Sequence, residues 1–403
     1  MPLLDRLQIN NDRLVRFTES SEKLEAVRAR SRSSRKQSTA FDAPLQMVQI
    51  SAKRLHTALQ LACACSHHTF HRVNLRLEPR LVGADMKSFR SSASDDPDTK
   101  VPFSVSVLTS GQTQCWRNLE IYVYTSPMIA SASANCATSI SRKVGFATSS
   151  TVPLIDFDKL VHISSLCATL ERIQATQTYC GFCLDHHDKL FGDYPVSTTD
   201  LNRLAAQINS TLTLGQLLAT PRPGNDKRCK IYTFKQSYIL AVTVASSFVQ
   251  LQSTPFLRNG WRAEDIVFAS DQTQPHVARV EEPYIAETFS STKATHTSDP
   301  TDDNRALLNL GILLLEIFFK EPLSLHRKSE DQGPDQSFAD LKTARRRVKD
   351  DKEEMTAAFY QAISYCIACF ANPDVDLEDP AFRQQIVDQV VIPLKDEMKF
   401  LTR

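Results

Sequence analysis

The sequence predicts an α+β protein with its strands in the first half of the chain and its helices in the second. Val101–Leu108 and Asn118–Tyr124 are rich in β-branched and aromatic residues, a composition that suits a pleated, half-buried surface. Tyr238–Leu251 and Leu307–Phe319 read instead as helices, the latter apolar at three- and four-residue steps on nearly every side. Residues 1–36 carry Leu4, Leu7, Leu14, Phe17, Leu24 and Val27 at helical spacings and predict a helical extension ahead of both.

Composition narrows the function classes. The 403 residues suffice for two domains, or for one two-lobed domain with an appendage. At 42% hydrophobic and 23% charged, the chain can bury a sizeable core. Forty-seven Lys and Arg against 46 Asp and Glu leave +1, so no global field favours nucleic acid or an anionic membrane. Ten cysteines follow a charged start, Met1-Pro-Leu-Leu-Asp-Arg6, with no apolar leader, which predicts free thiols in a reducing compartment. The longest apolar run, Leu307–Phe319, contains Asn309 and Glu316 and is shorter than the roughly 20 residues of a spanning helix. A soluble cytoplasmic protein is expected. With ten glycines and no G-x-G-x-x-G or G-x-x-x-x-G-K-[ST], the chain has no recognisable phosphate cradle, and no cofactor is expected.

The elements follow in order. Arg28–Ser38 is basic and Ser-rich and reads as a solvated tether. Leu45, Val48, Ala52, Leu55, Leu59 and Ala62 predict a helix over 45–62. Phe70–Leu81 alternates as a strand, and Ser91–Asp98 is a loop. After the two best strands, 125–151 is Ser-, Thr- and Ala-rich and predicts a long insertion. Phe157–Gln174 predicts a helix, Tyr179–Leu184 and Leu190–Tyr194 paired strands, and Leu212–Leu218 a small helix. An apolar stripe on every side of Leu307–Phe319 requires a buried helix. His326–Glu354 reads as a charged insertion, Met355–Phe370 as a helix, and Phe382–Val391 as an amphipathic helix stopped by Pro393.

Two clusters have metal-ligand chemistry. Cys63, Cys65, His67 and His71 offer thiolates and imidazoles, though at no standard finger spacing. Cys180 and Cys183 with His186 and His187 form a second set, and the two could share one ion. Small buried thiols at strand entries are the simpler explanation of both. Cys366 and Cys369 lie one turn apart on an apolar helix and read as core. No G-x-S-x-G or H-E-x-x-H supports a hydrolase.

Several stretches carry a family resemblance. They are His71-Arg-Val-Asn-Leu-Arg-Leu-Glu78, Trp116-Arg-Asn-Leu-Glu-Ile121, Ser253-Thr-Pro-Phe-Leu257, and Trp261 followed by Asp265-Ile-Val-Phe268. Pro283-Tyr-Ile285, Leu310-Gly-Ile-Leu-Leu-Leu-Glu316, Cys366-Ile-Ala-Cys-Phe370 and Asp376-Leu-Glu-Asp379 complete the order. Together, over about 40–395, they resemble a fungal family of unknown function with a degenerate protein-kinase-like fold. The resemblance implies two lobes, a small β-containing N-lobe over 37–200 and a helical C-lobe over 201–403. Members often carry an N-terminal helical module like those of fungal prion-inhibition and incompatibility proteins. Residues 1–36 look like its last helix, which links the family to self-recognition and cell death.

The resemblance also implies where chemistry would sit. Kinases end the catalytic loop as H-R-D-x-K-x-x-N-I-L. Aligning Glu264-Asp-Ile266 on E-N-I puts Gly260 at the catalytic base, Arg262 at the loop lysine and Asp265 at the Mg²⁺-binding Asn. Pro275–Pro283 contains no D-F-G. Arg262 and Asp265 are thus the remnant of a nucleotide pocket, with weak residual nucleotide binding as its limit. Read without the resemblance, Trp261 anchors a loop and Asp265 caps a turn. The expected function is that of a catalytically inactive pseudokinase, scaffold or regulator. It would bind protein partners through C-lobe surfaces or the insertions at 125–151 and 326–354. An atypical ATP-dependent kinase using Asp265 and a zinc-stabilised binding module are the alternatives.

Overall fold

The structure, a computed structural model, describes residues 42–64, 70–80, 100–109, 115–124, 159–172, 179–192, 210–219, 232–257, 260–271, 274–290, 302–333, 335–373 and 375–401. It is a mixed α+β fold. Helix α1 (Asp42–Ala62) buries Leu45, Val48, Ala52, Leu55 and Leu59, the stripe that its sequence period demands. Nine strands follow among the described residues: β1 (Phe70–Arg76), β2 (Lys100–Thr109), β3 (Cys115–Tyr124), β4 (Val161–His162), β5 (Tyr179–Leu184), β6 (Leu190–Gly192), β7 (Ser210–Thr213), β8 (Ile266–Asp271) and β9 (Gln274–Ser290). They form one sheet in the order β4-β6-β5-β3-β2-β1-β9-β8-β7.

Among the described strands only β3 and β5 pair in parallel, and the short helix α2 (Leu166–Arg172) lies between them in the chain. The helix predicted over 157–174 is confined to α2 in the described residues. Ahead of it Val161 and His162 extend to pair with β6, and Ile163 donates its N–H to Leu190 O at 2.8 Å. β-branched residues beside an open sheet edge gain more from the ladder than from a helical turn. The predicted pair at 179–194 forms as the β5–β6 hairpin. Arg54 of α1 anchors it, donating from Nε to Asp188 Oδ1 at 2.5 Å and from its other nitrogens to the carbonyls of Tyr124 and Asp185.

The join between the halves of the chain is β-structure. β1 pairs with β9 over its whole length, from Phe70 opposite Ser290 to Arg76 opposite Tyr284. The β8–β9 hairpin therefore extends the sheet begun by β1, β2 and β3. Sequence reading did not find β9. Pro283 falls inside it and argues against a strand. Its carbonyl nonetheless accepts from Leu77 N–H at 2.9 Å, beyond the end of β1.

The helical layer is α3 (Leu214–Ala219), α4 (Phe234–Leu251), α5 (Asp302–Phe319), α6 (Gln336–Asp350), α7 (Ala357–Cys369), α8 (Pro380–Ile386) and α9 (Ile392–Leu401). A capping box starts α4: Thr233 Oγ1 accepts from Gln236 N–H, and Gln236 Oε1 accepts from Thr233 N–H. Leu307, Leu308, Leu310, Leu313, Leu314 and Ile317 of α5 are all buried, each worth about 1.5–3 kcal/mol. Gly311 lets α7 approach closely, because a Cβ there would lie 3.0 Å from Cys366 Cβ. Cys366 and Cys369 are buried core residues.

Two expectations in this layer are corrected. The segment 326–354 holds a folded helix. Asp335 caps α6 through Phe338 N–H, and Ala339, Leu341, Ala344 and Val348 face the core. Nor does Pro393 stop the last helix. A π turn at Val387–Val391 breaks the i to i−4 ladder first, which puts Pro393 in the opening turn of α9, where a missing N–H costs little.

Candidate functional site

The loop 260–265 joins a 3₁₀ turn (Pro255–Leu257) to β8 and is held from several sides. Trp261 is buried, donates its indole N–H to Phe256 O at 2.8 Å, and meets the Phe248 ring edge-on. Gly260 has φ +73°, a left-handed conformation that favours glycine. A Cβ there would stand 2.6 Å from Ala306 Cα and 3.1 Å from Ala306 O, both on the first turns of α5. The glycine thus seats the loop directly on the helix backbone.

Asp265 closes the turn. Its Oδ2 accepts from Arg262 N–H at 2.9 Å, its own N–H donates to Arg262 O at 3.0 Å, and its carbonyl accepts from Ala286 N–H of β9. Burial pushes its carboxyl above the usual range, opposed by the Arg262 backbone bond and reinforced by Glu264. Arg262 is exposed. Glu264 leans on α3, where its Oε1 would lie 3.0 Å from a Cβ on Gly215.

Two further titratable groups adjoin the loop, and sequence reading singled out neither. Glu316 of α5 accepts from Leu323 N–H at 2.8 Å, and so starts the 3₁₀ turn Leu323–His326. Burial pushes its carboxyl up to about 7; the Leu323 bond opposes this, and Glu264 and Asp340 add to it. Its only sequence signal was one acid inside an apolar run. His56 of α1 is buried between the rings of Phe256 and Phe289, with Nε2 3.7 Å from Glu287 Oε1 and no hydrogen-bond partner among the described residues.

The structure brings Arg262 and Asp265 together through backbone contacts. The described residues hold two of the first set of metal candidates, Cys63 and His71. Cys63 follows α1 and donates its N–H to Leu59 O, while His71 is a buried residue of β1 opposite Phe289. Cys65 and His67 lie outside the described residues. Cys183 packs against Tyr122 and Tyr124, with burial pushing its thiol up to about 12. His186 and His187 occupy an exposed turn. Among the described residues no three His, Cys, Asp or Glu side chains gather as a metal site, and no helix is long and apolar enough to cross a membrane.

No curated protein matches the chain. A family described as a domain of unknown function, DUF7580, matches residues 42–400, a span that holds every described element except the last residue of α9. The chain belongs to this family.

Proposed function

We propose that the protein is a catalytically inactive, kinase-like scaffold or regulator that works by binding other proteins. The observation that carries this reading is the crowding at Gly260, the position that the kinase resemblance aligns with the catalytic base. Its Cβ position overlaps the backbone of α5, and its φ is positive, so an Asp there would be both strained and in collision. Phosphoryl transfer depends on a residue that orients the nucleophile and on carboxylate-bound Mg²⁺. Asp265 already commits Oδ2 to Arg262 N–H in closing its own turn, which competes with coordination of a cation. The two-lobed arrangement and a role in fungal self-recognition or cell death belong to the same proposal and draw on the sequence resemblance, while the cytoplasmic setting draws on composition and cysteine usage.

The test is thermal unfolding of the full chain with ATP, with and without Mg²⁺. Ligand at about 100 times its dissociation constant would add about 2.7 kcal/mol. No shift is expected in either condition. A Mg²⁺-dependent shift that disappears in Asp265→Ala would replace this reading with that of an atypical ATP-dependent kinase.

A further inference from the structure

We infer that one water molecule is bound in the partly open cleft where the segment after β1 meets α4, as a structural part of the joint between sheet and helices. Arg80 is the reason to look there. Its guanidinium lies over the Phe103 ring, 4.6 Å from the centroid, which fixes the plane of its donors. Nε donates to Glu78 Oε2 at 3.1 Å, and Nη2 donates to Pro102 O. Nη1 is buried and has no partner among the described residues. A buried cationic N–H left unpaired is costly, and native proteins rarely leave one so.

Beside it lies a cavity with about 10 Å³ of room for the centre of a water molecule, at the lower limit for holding one. Val48, Leu75 and Phe103 form apolar walls, while Arg80, Ser247 and Gln250 supply polar groups. The polar groups are already oriented. Gln250 Nε2 donates to Glu78 O at 3.0 Å and to Ser246 Oγ at 2.9 Å, which commits the amide nitrogen and keeps Oε1 as an acceptor. Ser247 Oγ donates to Glu78 O at 3.3 Å and retains its lone pairs. A water that accepts from Arg80 Nη1 and donates toward Gln250 Oε1 and Ser247 Oγ finds the two to four polar partners that a buried water needs. The Glu78 carboxylate already balances the guanidinium, so the charge there does not call for an anion.

A near-atomic-resolution crystal structure of the full chain tests this. An ordered water oxygen about 2.7–3.2 Å from Arg80 Nη1 is expected. Absence of any such peak, or a direct bond from Nη1 to a protein atom, would overturn the proposal. The same structure for Arg80→Met should lose the peak while Gln250 keeps its bond to Glu78 O. A peak that persists in the variant would show that Arg80 does not hold the water. If the variant does not fold, the wild-type density decides alone.

Discussion

Helices α5 and α6 are neighbours of similar length fixed by opposite means. α5 is apolar nearly all round and is held by burial, with Glu316 as an acid within its last turn. α6 is rich in charge and is held at its rim by ion pairs: Arg346 to Asp331, Arg327 to Asp340, and Arg347 to Asp351 at 2.5 Å. Its Ala339, Leu341, Ala344 and Val348 form a narrow buried stripe beneath that rim. A charge-rich stretch can therefore be a packed helix when its charges find partners across a turn. The two helices should also respond differently to mutation and to pH.

The largest effect is expected where α5 meets the candidate loop. Gly260→Asp should cost more than about 4 kcal/mol or prevent folding, because strain and overlap with Ala306 add. Soluble yield and urea unfolding measure it, and a stable variant would mean that the loop does not lie against α5. Next, Leu314→Ala in the middle of α5 should cost about 2–5 kcal/mol by the same assay. A cost below that range would mean that α5 is less central than its burial indicates.

Glu316 makes the comparison pH-dependent. Its carboxyl rises from 4.5 to about 7 on folding, so its contribution is complete below pH 4.5 and is lost as pH rises through 7. Glu316→Gln should flatten that decline and raise stability at pH 8 by about 1–3 kcal/mol relative to wild type. Parallel melting curves of the two proteins from pH 4 to 8 would refute this if they stayed at a constant offset.

The smallest effect belongs to α6. Arg346 holds the Asp331 carboxyl down at about 2, with the Lys328 N–H and Thr343 hydroxyl helping. The Asp331 side chain is 5% exposed, yet it is shielded only by its immediate partners near the protein surface, so solvent screens the pair. Its stabilisation is present above pH 3.8 and is lost as pH falls through 2. Asp331→Asn should cost about 1–2 kcal/mol at pH 7 and remove that acid limb. An unchanged acid midpoint would assign the limb to other carboxylates.

The same contrast explains what the sequence made legible. Leu45 to Ala62 and Leu307 to Phe319 repeat at the helical period, so α1 and α5 could be read from spacing alone. Val101–Leu108 and Asn118–Tyr124 could be read from β-branched and aromatic content. His326–Glu354 could not, because ion pairs such as Arg327 with Asp340 span more than a window of local sequence. β9 was hidden by Pro283, whose missing N–H matters less where its carbonyl meets Leu77. At the candidate site, Trp261 and Asp265 were visible as a loop anchor and a turn cap. The tight fit of Gly260 on Ala306 was not, since it depends on a contact between distant segments. For the same reason nothing local announced the cavity that Arg80, Ser247 and Gln250 line together.

The ladder between β1 and β9 also constrains how the protein is made. During synthesis β1 leaves the ribosome with β2 and β3, but its other edge stays open until residues 284–290 emerge. Until then seven residues of hydrogen-bonding edge are exposed to other nascent chains, the usual starting point of strand-mediated misassembly. The slowest step of its folding should therefore be the docking of the β8–β9 hairpin.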